Sequence, residues 1–113
     1  MAAETIFSKI LRGEIPSDKV YADEEFYAFR DINPGAPTHI LVIPRKPIAK
    51  LADATAEDAE LLGRLLLVAN TVAKQEGLTD YRLVINNGAG AGQSVFHLHL
   101  HILGGRPMAW PPG

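Results

Sequence analysis

Four histidines, His39, His97, His99 and His101, hold most of the chemistry this sequence offers. Three of them alternate with apolar residues in His97-Leu98-His99-Leu100-His101-Ile102-Leu103. Successive side chains of an extended chain point to opposite faces. That spacing sends three imidazoles to one side and Leu98, Leu100 and Ile102 to the other. Imidazole titrates near neutrality, so such a row can attack, donate or accept protons at ordinary pH. The bland alternative is a half-buried strand with histidines on its open face. Three successive alternate positions filled by so uncommon a residue argue against it.

A metal site is the serious rival. His-x-His on a strand is a good ligand pair, and His39 offers a third ring, with Asp31 able to approach through the fold. From His97 to His101, however, an extended chain spans roughly 13 Å. Tetrahedral ligands must all come within about 2.1 Å of the ion. A diverging row suits an extended substrate better than a point ion. His99, in the middle, can face one electrophilic atom while the outer rings donate to its oxygens, and the phosphorus of a nucleoside monophosphate derivative fits that layout. Neutral imidazole attack, followed by hydrolysis of the labile phosphoryl-imidazole, divides one hard step into two.

Just upstream, Gly88, Gly90 and Gly92 lead into Gln93 and Ser94. With no helix following and no Gly-Lys-Ser/Thr, this is neither a dinucleotide fingerprint nor a Walker loop. A flexible hairpin connection is the plain reading. Its place before the histidines favours a phosphate-side role, because glycine lets backbone N–H groups approach an anion closely. The Ser94 hydroxyl and Asn86 amide can add donors.

These groups must be positioned by the surrounding elements. Thr5 can cap a short helix bearing Ile6, Phe7, Ile10 and Leu11, stopped by Gly13. Residues 19–22 and 26–30 read as strands around the turn Asp23-Glu24-Glu25. Asn33-Pro34-Gly35-Ala36-Pro37 is a rigid connection, followed by a buried strand over 38–44. Residues 47–54 read as irregular or a single helical turn. Thr55 and Asp58 resemble a capping box opening one long helix over about 56–76, with Leu61, Leu62, Leu65, Leu66, Ala69, Val72 and Ala73 as its apolar stripe and Gly77 at its end. Strands over 81–86 and 95–103 flank the glycine-rich loop, and the tail from Gly104 reads as coil. Strands outnumber helices and hairpin-length links dominate. The expected fold is α+β, an antiparallel sheet of about five strands with the long helix on its apolar face.

Length and composition set the bounds. The 113 residues, 47% hydrophobic, suit a single domain over 1–113 with a real core. The net charge of −2 and a pI near 6 give no electrostatic footprint for a nucleic-acid polymer or an anionic membrane, though one nucleotide needs only a few donors. The absence of cysteine excludes disulfides and Cys-ligated metal. The N-terminus lacks a basic region leading into an apolar one, and the run 61–69 is interrupted by Arg64 and falls short of the roughly 18 apolar residues of a membrane span. A cytoplasmic location is the default expectation.

The motif His97-Leu98-His99-Leu100-His101-Ile102-Leu103 resembles the histidine triad that defines the HIT superfamily. Asp31-Ile32-Asn33-Pro34, Ala36-Pro37-Thr38-His39, Gly92-Gln93-Ser94-Val95 and Trp110-Pro111-Pro112-Gly113 extend the resemblance to its Hint branch over nearly the whole chain. The resemblance implies a homodimeric purine nucleoside phosphoramidase, which hydrolyses the P–N bond of adenosine 5′-phosphoramidates and related acyl-adenylates through a nucleotidyl-histidine. It assigns His99 as nucleophile, His97 and His101 as contacts of the α-phosphate, and His39 as support for proton handling. Asn86, Gly92 and Ser94 match phosphate or leaving-group positions, and Asp31 the carboxylate that holds the ribose hydroxyls. Ile6, Phe7, Ile10, Ile15, Phe29 and Ile32 match an apolar clamp around the base. Their plain alternative is ordinary core, as a turn-capping role beside Asn33 is for Asp31. No metal or other cofactor is implied. Ala109 departs from relatives with a polar residue there, which touches leaving-group preference. A metal-dependent phosphoester hydrolase and a non-catalytic purine nucleotide-binding module stand as the alternatives.

Overall fold

The computed structural model describes residues 4–113. Its first element, α1 (Ile6–Leu11), is opened by a reciprocal cap: the Ser8 amide donates to Thr5 Oγ1, and the Thr5 amide donates to Ser8 Oγ. Three strands follow, β1 (Lys19–Ala22), β2 (Phe26–Arg30) and β3 (Thr38–Pro44). Two short 3-10 turns lead into α2 (Ala59–Gln75), and β4 (Tyr81–Val84) and β5 (Leu100–Gly104) complete the sheet. The strand order is β1-β2-β3-β5-β4, antiparallel throughout. The α+β architecture expected from the pattern is the one observed.

The sheet separates two apolar layers. Ala28, Ile40, Val42, Leu100 and Ile102 face α2 and meet Leu65, Val68, Ala69 and Val72. Phe29, Leu41 and Ile43, on the opposite side, pack with Phe7 and Ile10 of α1. The α1 layer carries the histidines.

Several expectations shift at their edges: the strand expected over 81–86 ends at Val84, and Gly104, expected as coil, closes β5. The long helix starts at Ala59, after a 3-10 turn over Ala56–Asp58, because Thr55 and Asp58 cap that turn. Leu66, assigned to the buried stripe, is 48% exposed, and Leu67 also faces outward. Buried Leu65, Val68, Ala69 and Val72 define the inner face at 3.6 residues per turn, and Leu66 falls outside that arc. The last strand begins at Leu100, not Val95. Ahead of it the chain takes its hydrogen bond from another segment, the Leu98 amide donating to the Ile48 carbonyl at 2.7 Å. The alternation survives this shift: Leu98, Leu100 and Ile102 all lie in the α2 core.

Candidate active site

The α1 side of the sheet holds a cavity of about 780 Å³. Ile6, Phe7, Ile10, Ile15, Phe29 and Ile32 form its apolar wall, and His99, His101, Asp31 and Ser94 its polar wall. The strands explain the grouping. Phe29 pairs with Leu41 and Leu41 with His101, which brings all three to one face of neighbouring strands. Phe7 reaches down from α1 and meets Phe29 edge-on at 5.4 Å and His99 at 5.1 Å between ring centroids. Ile32, 91% exposed, stands at the mouth.

The three triad rings have different surroundings. His97 is 2% exposed and lies outside the cavity wall, its Nε2 2.7 Å from the Pro44 carbonyl. A carbonyl accepts only, so Nε2 carries the proton and donates. The Nε2 of His97 is thereby committed to the Pro44 carbonyl. This ring ties the pre-strand segment to the end of β3. Burial pushes its pKa down, against the opposing pull of the Pro44 hydrogen bond.

His99 is 6% exposed, and its Nδ1 lies 2.8 Å from the His97 carbonyl. Nδ1 must donate there, which leaves Nε2 of the neutral ring with its lone pair free. Burial lowers its pKa first, and the carbonyl hydrogen bond and the Asp31 charge work the other way. The net result is a neutral imidazole in a cavity wall.

His101 ends a directed chain. The Gly35 amide donates to His39 Nδ1 at 2.8 Å. In the neutral ring, His39 Nε2 then holds the proton and donates to His101 Nδ1 at 2.9 Å. His101 Nε2–H is left as a donor, buried and without a partner among the described residues. An unsatisfied buried donor costs about 1–3 kcal/mol, and an oxygen of a bound ligand would relieve it. His101 is pushed down to about 4, first by burial and then by the neighbouring His99 and His39.

Asp31 serves the turn as well as the cavity. Its Oδ1 accepts the Asn33 amide at 2.8 Å, and its Oδ2 lies 3.4 Å from His39 Nε2. The capping role is thus real, and the carboxylate still has lone pairs for two hydroxyls. His39 sits behind His101 and outside the cavity wall. Asn86 and Gly92 also lie outside it, beside each other, with Asn86 Nδ2 3.7 Å from where a Gly92 side chain would begin. Gly92 adopts φ +97°, a conformation that favours glycine.

Several groups escaped the sequence reading, among them Gln93 and Leu41, and Pro16, Ser17, Asp18, Arg30, Asn33 and Val95 also line the cavity. Gln93 is buried and holds the glycine loop closed: its Oε1 accepts the Gly88 amide, and its Nε2 donates to the Ala49 and Val95 carbonyls. Only a contact 44 residues away reveals this role. Leu41 also lines the cavity, and its two-residue spacing from His39 was the available signal.

Asp31, His39 and His101 come close enough together to suggest a metal site. The proton directions do not fit one. A metal-ligating histidine donates its other N–H to an acceptor. His39 instead accepts the Gly35 amide on Nδ1, so giving Nε2 to an ion would require a doubly deprotonated ring or a broken hydrogen bond.

A sheet with this strand order and a histidine pair hydrogen-bonded across β3 and β5 define a class, and comparison with known proteins gives the same one. The HIT domain family model matches residues 12–108. The chain belongs to the HIT domain family. It is 54% identical to the purine nucleoside phosphoramidase of Escherichia coli K12, over 96% of this chain and 92% of that protein. It is 60% identical to the 14 kDa zinc-binding protein of Zea mays, over 96% and 88%. Among solved structures, a HIT family hydrolase from Legionella pneumophila superposes with a TM-score of 0.94 at 52% identity, covering 97% of this chain and all of that one.

Proposed function

We propose that the protein is a hydrolase of purine nucleoside 5′-phosphoramidates and related acyl-adenylates, acting through a nucleotidyl-His99 intermediate. One observation carries the reading: a free Nε2 lone pair on His99 shares a cavity with the Nε2–H of His101, unpaired among the described residues. The apolar wall takes the purine, and Asp31 the ribose hydroxyls. His99 Nε2 attacks phosphorus and the P–N bond breaks. His101 Nε2–H and Ser94 steady the phosphoryl oxygens, and the departing amine takes a proton from the His101 side. Water then cleaves the P–Nε2 bond and releases the nucleoside monophosphate. The relation to the Escherichia coli phosphoramidase supports this choice of substrate.

The reading includes a homodimer. The outward-facing Leu66 and Leu67 of α2 are an apolar surface that a second copy would cover.

The test is release of a reporter amine from an adenosine phosphoramidate. His99→Ala should reduce turnover at least about 10³-fold while AMP binding persists. Rapid quench with labelled substrate should place the nucleotide on His99. Hydrolysis by His99→Ala at the wild-type rate, or a time-resolved quench without an adduct, overturns the reading.

A further inference from the structure

Asp31 touches both the cavity and the histidine chain behind it. Its Oδ2 lies 3.4 Å from His39 Nε2, the atom that donates to His101 Nδ1 at 2.9 Å. The Gly35 amide fixes the direction of this chain by occupying His39 Nδ1. An extra proton on the pair therefore has few places to go. On His101 Nδ1, it would oppose the proton already on His39 Nε2. On His39 Nδ1, it would oppose the Gly35 amide. Asp31 Oδ2 is the acceptor at hand: the His39 Nε2–H can turn to it and leave His101 protonated on both nitrogens.

We propose that Asp31 couples ribose recognition to proton delivery: the carboxylate that receives the 2′,3′-diol is also the acceptor that lets the His39–His101 pair hold an extra proton. Diol hydroxyls bound to the carboxylate disperse its charge and occupy its lone pairs. The pair then holds that proton less tightly. His101 Nε2 gives one proton to the leaving amine nitrogen as the P–N bond breaks, which leaves the pair neutral with the His101 proton on Nδ1; proton exchange with solvent then restores the resting Nε2–H state directed by Gly35. Substrate occupancy itself thus makes the acid stronger. Asp31 is in this respect a positioning residue acting through His39.

The groups facing the pair are few. Asp31 and the Gly35 amide come from the β2–β3 connection, and His99 precedes β5. Arg106 reaches the Gly35 carbonyl at 2.9 Å. Val84 of β4, paired with His101, is apolar, and α1 presents Phe7 to His99. Asp31 is the only carboxylate within 4 Å of a histidine nitrogen among the described residues.

The inference rests on the proposed phosphoramidase reading, and 2′,3′-dideoxy substrates separate the two. If Asp31 acted through the diol alone, Asp31→Asn would leave hydrolysis of a 2′,3′-dideoxyadenosine phosphoramidate unchanged. The expected result is a roughly tenfold lower kcat on that substrate at neutral pH, because less of the pair is protonated, with the alkaline limb of its pH profile moved down by about one pH unit. In a His39→Ala background, the same substitution should have no further effect. An unchanged kcat and pH profile for Asp31→Asn on the dideoxy substrate, or a full effect without His39, overturns the proposal. Asparagine can still accept the Asn33 amide, so the turn is retained. A second measurement needs no variant: ¹⁵N titration of the His39 and His101 rings in wild-type protein saturated with AMP or with 2′,3′-dideoxy-AMP. The pair should titrate lower with AMP, and identical titrations overturn the coupling. Failure of the wild type to hydrolyse either phosphoramidate would instead defeat the activity reading.

Discussion

The His97 main chain holds the His99 ring, the His97 carbonyl accepting the Nδ1–H of His99 at 2.8 Å. The His97 ring turns the other way and donates to the Pro44 carbonyl at 2.7 Å. One residue thus orients its neighbour with its backbone and anchors the segment with its side chain.

That division of labour makes His97 a stability residue. His97→Ala should cost about 2–4 kcal/mol, from a cavity and an unpaired Pro44 carbonyl, and lower the melting temperature by roughly 10 °C. Thermal unfolding followed by circular dichroism checks this. A melting temperature equal to wild type would show that the Pro44 contact contributes nothing.

Phe7 joins the apolar wall to the reactive ring. Phe7→Ala should destabilise by about 3–5 kcal/mol, since this buried ring packs edge-on against both Phe29 and His99. Under folded conditions KM for the phosphoramidate should rise and kcat should fall. Steady-state kinetics with Phe7→Leu, which restores much of the volume, should show partial recovery of both.

Stability should fall on acidification. His97, His99 and His101 all have native pKa values below the ordinary 6.5, with burial as the leading cause. Below pH 6.5 the unfolded chain binds protons that the native rings refuse, so unfolding becomes easier as pH falls. For His101 the loss continues down to about pH 4 and then levels off. Each ring contributes at most about 1.4 kcal/mol per pH unit in its window. Urea unfolding between pH 7.5 and 4 measures this, and substitution of His101 by Gln should flatten the slope. Activity should persist somewhat below pH 6.5, because His99 stays neutral there.

Asp58 closes the start of the α2 segment. It is 4% exposed, pairs with Lys46 and accepts the Thr55 amide at 2.9 Å. Asp58→Ala should cost about 1–3 kcal/mol through the lost cap and the freed Lys46. Denaturant unfolding should register this while phosphoramidate KM stays unchanged, because the residue is remote from the cavity wall.

Gly105 adopts φ +90°, and an added Cβ would lie 2.8 Å from Pro37 Cβ. The proline ring cannot swing aside as a long side chain would. Gly105→Ala should therefore cost about 1–3 kcal/mol and disturb the strand start that carries His39. Gly104→Ala meets only the flexible end of Leu78 and should be milder. Melting temperatures of the two variants give the order.

Local pattern made much of this legible. Alternation placed Leu98, Leu100 and Ile102 in the core opposite the histidines, the Thr5 cap marked the start of α1, and the Thr55 cap marked the 3-10 turn that precedes α2. Such features depend on neighbours a few residues apart, whose geometry the backbone period dictates. Strand pairing beyond hairpins, and the contacts it creates, lay outside that reach. That β5 inserts between β3 and β4 brings His101 to His39 across 62 residues, and this contact, together with the local Gly35 bond to His39, places the His101 proton on Nε2. The departure of His97 from the row has the same origin, because its partner is the carbonyl of Pro44 on another strand. Residue types and spacing determined that a nucleophilic imidazole could exist here. The proton direction of its neighbour His101 was decided by the tertiary contact with His39, since a histidine tautomer is set by the partners that folding brings to its two nitrogens.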